Sequence, residues 1–218
     1  MPAFDRSMIP EQPDLSFEEA LWKNGLIRIA GIDEAGRGAL AGPVAAAAVI
    51  LPPENRLVEW LRGVRDSKQL SPSQRETARE VILRYAVCWG VGFASAQEID
   101  CMGILPATRL AANRALEKMT QSPKHILLDY LFLPENSIPQ TALIKGDCRS
   151  LSIAAASILA KTARDAQMCE LDRLYPGYGF SSHKGYGTLL HRAALQQLGP
   201  SPVHRLSFAL YSQTGLPA

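Results

Sequence analysis

Short apolar runs, broken by polar and glycine-rich segments, organise the chain. Residues 26–32 are apolar and rich in β-branched side chains, and they predict a strand that stops at Asp33. Residues 43–51, crowded with alanine, predict a second strand on which something packs closely. The segment between them, 35–42, carries Gly36, Gly38 and Gly42 and is too short for a crossover helix, so the two strands must run antiparallel. Residues 86–94, 125–129 and 141–145 read as three further strands. Helices are predicted over 16–23, 72–84, 96–119 with a break at Met102 and Gly103, 149–174 and 186–198. Ser71 followed by Pro72 gives the 72–84 helix an N-cap and a proline in its first turn. Three strands followed by alternating helices and strands imply an α/β fold with a mixed five-stranded sheet. One half of that sheet is antiparallel and the other parallel, with flanking helices and a helical C-terminal region.

Composition narrows the setting. A chain of 218 residues with 47% hydrophobic and 20% charged positions is an ordinary globule with a well-covered core. No internal repeat or linker divides it, which predicts an N-terminal extension, 1–26, and one domain, 27–218, helical from about 170 onward. The start of the chain has no apolar core segment and is interrupted by Pro2, Pro10 and Pro13, unlike a signal peptide. The apolar run 43–53 is far short of a membrane span, and a cytoplasmic location is expected. Cys88, Cys101, Cys148 and Cys169 show no paired spacing. The net charge of +2 says little, but its distribution is uneven: after Asp172 no acid remains, whereas Arg173, Lys184, Arg192 and Arg205 do. That stretch reads either as a phosphate-contacting surface or as a mildly basic solvated face.

The chemistry-bearing residues are carboxylates in unusual places. Aspartate is a poor strand former and costly to bury uncompensated, yet Asp33 closes one apolar run, Asp129 closes another, and Asp147 follows a third and precedes a helix. Glu34 adjoins the first. If those strands are neighbours, the acids converge. Two carboxylates about 4 Å apart at an effective dielectric near 20 repel by about 4 kcal/mol. Raised pKa values, Arg or Lys partners, or divalent cations resolve such repulsion. All-oxygen ligands favour hard ions, Mg²⁺ or Mn²⁺. Successive strand residues point to opposite faces, so the chain must turn between or just after Asp33 and Glu34 for both to share a site. Taken singly, Asp147 fits a helix N-cap, Asp129 an Asx turn, and Asp33 and Glu34 a polar corner; only their conjunction points to chemistry. His125, His183, His191 and His204 have no ligand-like spacing and are expected to be structural or phosphate-facing.

The run from Gly31 to Val44, Gly-Ile-Asp-Glu-Ala-Gly-Arg-Gly-Ala-Leu-Ala-Gly-Pro-Val, resembles the N-terminal signature of ribonuclease HII, the type 2 ribonuclease H family. Asp66-Ser67-Lys68, Lys145-Gly146-Asp147 with the alanine-rich segment through Arg164-Asp165, Lys184-Gly185-Tyr186 and His204-Arg205 match further motifs in the same order. The resemblance spans residues 27 to 208 and implies a ribonuclease-H-like fold. It implies an endonuclease that hydrolyses the RNA strand of RNA–DNA hybrids and cuts at ribonucleotides embedded in duplex DNA, leaving 5′-phosphate and 3′-hydroxyl ends. Asp33, Glu34, Asp129 and Asp147 correspond to the family's catalytic metal ligands, for Mn²⁺ or Mg²⁺, two ions with substrate bound. Gly36, Arg37 and Gly38 correspond to the loop that senses the 2′-hydroxyl, Lys68 to a substrate-contacting lysine, and Tyr186 to the tyrosine that packs on the sugar past the junction. A monomer without membrane contact is implied, and nothing legible specifies a protein partner such as a sliding clamp.

Three positions depart from the family pattern: Tyr130 after the third acid, Cys148 after the fourth, and Leu206 after Arg205. Two other readings compete. Ribonuclease HIII has a long N-terminal extension and lacks the Gly-Arg-Gly loop that this chain carries. A nucleic-acid-binding module without catalysis would have no need of all four acids. A nucleotide-phosphate loop is excluded, because Gly36-Arg37-Gly38 lacks both the spacing and the Lys-Ser/Thr of a P-loop.

Overall fold

A computed structural model describes residues 5, 9–54 and 56–211. Its one sheet comprises β1 (Ile29–Ala35), β2 (Val44–Ile50), β3 (Cys88–Ala94), β4 (His125–Asp129) and β5 (Gln140–Leu143), in the order β3-β2-β1-β4-β5. β1, β2 and β3 pair antiparallel, while β1–β4 and β4–β5 are parallel, giving the expected mixed sheet. The helices are α1 (Ser16–Trp22), α2 (Leu57–Trp60), α3 (Pro72–Tyr85), α4 (Ala96–Met102), α5 (Ile104–Glu117), α6 (Leu151–Leu174), α7 (Phe180–His183) and α8 (Leu189–Leu198). The end of the chain, 212–218, in which no motif is legible, lies outside the described residues. Among the described residues no helix is long and apolar enough to cross a membrane.

Alanine explains how two helices sandwich the sheet so closely. All seven residues of β2 are buried. Ala47 and Val49 pack under α6 against Ala154–Ala156 and Ile158, with Ile82 of α3 in the same cluster. Ala46 and Ala48 face α5, whose Ala107, Ala111 and Ala115 meet them. Side chains of one carbon let helix and strand backbones approach, and Gly31 on β1 goes further: a Cβ there would lie 2.2 Å from the Ser152 carbonyl carbon. The 72–84 helix starts as its sequence predicts, with a capping box in which Ser71 Oγ accepts from Gln74 N while the Gln74 side chain accepts from Ser71 N. α1 docks on the start of α6, where the buried Glu18 accepts from Ser150 Oγ at 2.6 Å and Ser152 N at 3.0 Å. A carboxylate at a helix N-terminus is stabilised there by the orphan N–H groups and the dipole.

Three boundaries differ from the sequence expectation, and each difference bears on the site. β1 begins at Ile29 and runs through Ala35, so Asp33 does not end it; Asp33 and Glu34 are paired with Ala47 and Ala46 of β2. β5 stops at Leu143 because Lys145 takes a left-handed conformation, φ 58°, that turns the chain into the 3₁₀ segment Gly146–Cys148. α8 begins at Leu189, since Thr188 caps it by accepting from His191 N and leaves Tyr186 outside the helix.

Candidate active site

The register of the central strands brings the first acids together. Ile32 of β1 lies opposite Leu128 of β4, so the next residue on each strand, Asp33 and Asp129, emerge side by side. Asp129 in turn lies opposite Leu143 of β5, from which the chain turns to present Asp147. Asp147 is not a helix N-cap: Ser150 holds that place on α6. Asp129 Oδ1 accepts from Gly146 N at 2.7 Å, which ties the third acid to the turn that carries the fourth. Glu34, on the opposite pleat from Asp33, reaches the same cleft, and Arg37 folds back on it with Nη1 3.1 Å from Glu34 Oε1.

The cleft has a volume of about 520 Å³ and is lined by Asp33, Glu34, Asp129, residues 36–38, Ser67, Lys68, Ser157, Lys161 and Tyr186. Lys68 connects Asp147 to it, with Nζ 3.2 Å from Asp147 Oδ2. Tyr186 packs its ring beside Arg164, whose Cζ is 5.4 Å from the ring centre, and Lys161, whose Nζ is 5.9 Å away. A larger depression of about 970 Å³ follows the free edge of β3, lined by apolar residues such as Trp89, Val91 and Phe93 and by one acid, Glu76. It has no cluster of carboxylates with which to do chemistry.

The electrostatics are those of crowded acids. Burial holds Asp33 well above the usual carboxylate range, and the charges of Glu34, Asp129 and Asp147 push it further. Burial also raises Glu34, against the opposing pull of Arg37 and Lys68. Asp129 is pushed up to about 6, by burial first and by Asp147 second. Two of the three remedies open to crowded carboxylates, raised pKa and basic partners, are therefore in use. They leave a remainder: Glu34 Oε2 and Asp147 Oδ1 are buried without a hydrogen-bond partner among the described residues. Unpaired anionic oxygens in a polar cleft, with no nitrogen or sulfur donor among the four side chains, fit a hard divalent cation.

Another grouping is tighter. Asp66, Asp147 and Cys148 each bring a donor atom within 4.8 Å of the others. The Lys68 ammonium already bridges its two carboxylates, 3.5 Å from Asp66 Oδ1 and 3.2 Å from Asp147 Oδ2. Burial and the Asp147 charge push the Cys148 thiol up to about 11, and its soft sulfur is ill matched to a hard ion. We read this group as an ion pair.

The family model for ribonuclease HII matches residues 30–211. A ribonuclease HII of Synechococcus sp. is 57% identical over 198 residues, covering 91% of this chain and 89% of its own. One from Dehalococcoides mccartyi is 50% identical over 197 residues, covering 90% and 93%. The chain belongs to the ribonuclease HII family. It is a ribonuclease H-type endoribonuclease. Among solved structures, a PCNA:RNase HII complex from Archaeoglobus fulgidus superposes with a TM-score of 0.69 at 26% identity, covering 85% of this chain and 97% of that one. The shared ribonuclease-H-like fold is the mixed sheet described above. The family match also separates this chain from ribonuclease HIII, which the fold alone does not do.

For a ribonuclease HII, the residues missed by sequence reasoning are the two that hold the Gly-Arg-Gly loop. Arg205 was grouped with the basic C-terminal surface, but it is fully buried. Its guanidinium donates to the carbonyls of Gly42 at 3.0 Å, Arg37 at 2.8 Å and Gly36 at 2.8 Å. Arg164, also fully buried, donates to Pro43 O, Lys184 O and Ala41 O. Gly36 is fixed beside it: φ is 91°, and a Cβ there would lie 1.8 Å from Arg164 Nε. The signal for Arg164 was available, because Ala160, Arg164 and Met168 recur every four residues on one buried stripe of α6. The C-terminal histidines are likewise interior. His191 and His204 are buried, and His183 stacks on His191 with ring centres 4.4 Å apart.

Proposed function

We propose that this enzyme hydrolyses the RNA strand of RNA–DNA hybrids and cuts at ribonucleotides within duplex DNA. In this reading Asp33, Glu34, Asp129 and Asp147 hold two divalent ions, Mg²⁺ or Mn²⁺. The observation that carries the reading is the pair of buried oxygens, Glu34 Oε2 and Asp147 Oδ1, that have no hydrogen-bond partner among the described residues, beside two carboxyls raised by burial and mutual repulsion. When bound, the ions supply activation of a water and stabilise charge on the attacking and leaving oxygens.

The protein's own groups do the selecting. With the carbonyls of Gly36 and Arg37 bound to Arg205, the loop backbone is rigid, and Gly38 faces open space in which a sugar fits. Backbone contacts of this kind distinguish a 2′-hydroxyl from hydrogen. The Arg37 guanidinium, 43% exposed, shields Glu34 and forks onto a phosphate. Lys68, 74% exposed, brings a second cation to the backbone of the scissile strand. Tyr186 packs on the sugar beyond the junction.

A duplex carrying one ribonucleotide tests this, with the cut mapped to the nucleotide in Mg²⁺, Mn²⁺ and EDTA. The expected result is a single cut at the ribonucleotide with 3′-hydroxyl and 5′-phosphate ends, abolished by EDTA. Asp33→Asn should lower the rate by at least about a thousandfold and leave duplex affinity within about threefold. Cleavage that survives either treatment would remove the metal mechanism.

A further inference from the structure

Behind Tyr186 lies a chain of hydrogen bonds whose proton positions follow from its fixed ends. The backbone N–H of Ser201 donates to His204 Nδ1 at 2.9 Å, so that nitrogen carries no proton. A neutral His204 is then protonated on Nε2, which lies 3.0 Å from His191 Nε2. His191 Nε2 must accept, which places the His191 proton on Nδ1, and Nδ1 lies 3.0 Å from the carbonyl of Tyr186. Both rings are buried, and desolvation lowers both below the ordinary histidine value, His191 to about 4. Each is therefore neutral at pH 7, as the deduction requires. His183 forms a second brace: its Nδ1 accepts from Gly185 N at 3.2 Å, and its Nε2 donates to Tyr178 O at 2.7 Å. The loop so held also docks on the Gly-Arg-Gly segment, since Leu40 N donates to Gly185 O at 2.8 Å.

We propose that His191 is a positioning residue. The relay Ser201–His204–His191 joins Thr188 N, which donates to the same oxygen at 2.8 Å, in fixing the Tyr186 carbonyl, and with it the seat of the Tyr186 ring in the cleft. This rests on the reading of Tyr186 as a sugar-packing residue. The Nδ1–H tautomer of His191 is the specific element: it is the less common form of a neutral imidazole, and no other assignment lets both ring nitrogens of His191 bond. A side chain that only filled the space would do as well with any tautomer.

Two measurements test the proposal. Nitrogen-15 NMR of the wild-type protein at pH 7 reads the tautomers directly. His191 should appear as Nδ1–H, with His204 and His183 as Nε2–H; His191 found as Nε2–H would overturn the relay without any variant being made. Kinetics on the single-ribonucleotide duplex give the functional arm. His191→Phe keeps the ring and loses the donor, and KM should rise about tenfold with kcat within about twofold. His191→Asn places an amide N–H where Nδ1–H stood and should restore most of the loss. Added to Tyr186→Ala, His191→Phe should cost nothing more, because the two act through one ring. Wild-type kinetics for His191→Phe beside a defective Tyr186→Ala would overturn the positioning role alone. Wild-type kinetics for Tyr186→Ala would overturn the reading of Tyr186 and the role of the relay with it, while leaving the tautomers standing.

Discussion

Asp129 shows how a single residue can be tuned against the stability of its own fold. Its carboxyl titrates at about 6 in the folded protein, against 3.8 ordinarily, because burial and Asp147 oppose its charge. A carboxyl raised by folding stabilises while protonated, and that contribution is lost as pH rises through about 4 to 6. Asp33 shifts in the same direction. Metal-free protein at pH 7 should therefore be strained here, and Asp129→Asn should relieve it. We expect the metal-free variant to gain about 1 kcal/mol, discounted for solvent screening, in urea melts at pH 7. The gain should vanish near pH 4. At this scale the sequence was informative because an acid at the end of an apolar run is an anomaly. The partners of those acids were not legible: Lys68 reaches Asp147 across 79 positions, and no local pattern encodes such a distance.

Elements were legible where their own residues decide them. Ser71-Pro72 marks a helix start, and the alanines of 43–51 announce close packing. The end of β1 was misplaced because pairing with β2, a tertiary effect, overrides the poor strand propensity of Asp33 and Glu34. Within the basic C-terminal stretch Arg205 escapes a reading by charge, since charge alone does not tell a solvated arginine from one that collects carbonyls. Arg205→Met would take the guanidinium donors from the carbonyls of Gly36, Arg37 and Gly42, at a cost on the order of 3 kcal/mol. The variant should melt earlier and lose discrimination between ribonucleotide and deoxyribonucleotide duplexes more than it loses affinity for metal. The histidines of the same region set its acid limit. His191, lowered to about 4 by burial first, favours folding while neutral, a contribution present above about 6.5 and lost as pH falls toward 4. The rings facing it are His183, stacked on it, and His204, hydrogen-bonded to it. Circular dichroism melts should show the midpoint falling through that window.

Over the whole molecule, Asp33, Glu34 and Asp129 stand on β1 and β4 in the middle of the sheet, with Asp147 on the turn after β5, and the sheet is covered by α5 and α6. Ions bound there act on the global equilibrium. At about a hundred times the dissociation constant, Mg²⁺ or Mn²⁺ should stabilise the protein by about 2.7 kcal/mol, and EDTA should reverse it. Calorimetry at pH 7.5 measures this directly, and Asp147→Asn should abolish most of the shift. The Gly-Arg-Gly loop is held differently. Arg205 reaches it from 168 residues further along the chain, so a growing polypeptide has made all four acids well before the arginine that clamps this loop. A nascent chain stalled before that arginine would leave the Gly36 and Arg37 carbonyls without the guanidinium that holds them. The loop therefore takes its final form only when synthesis has passed residue 205.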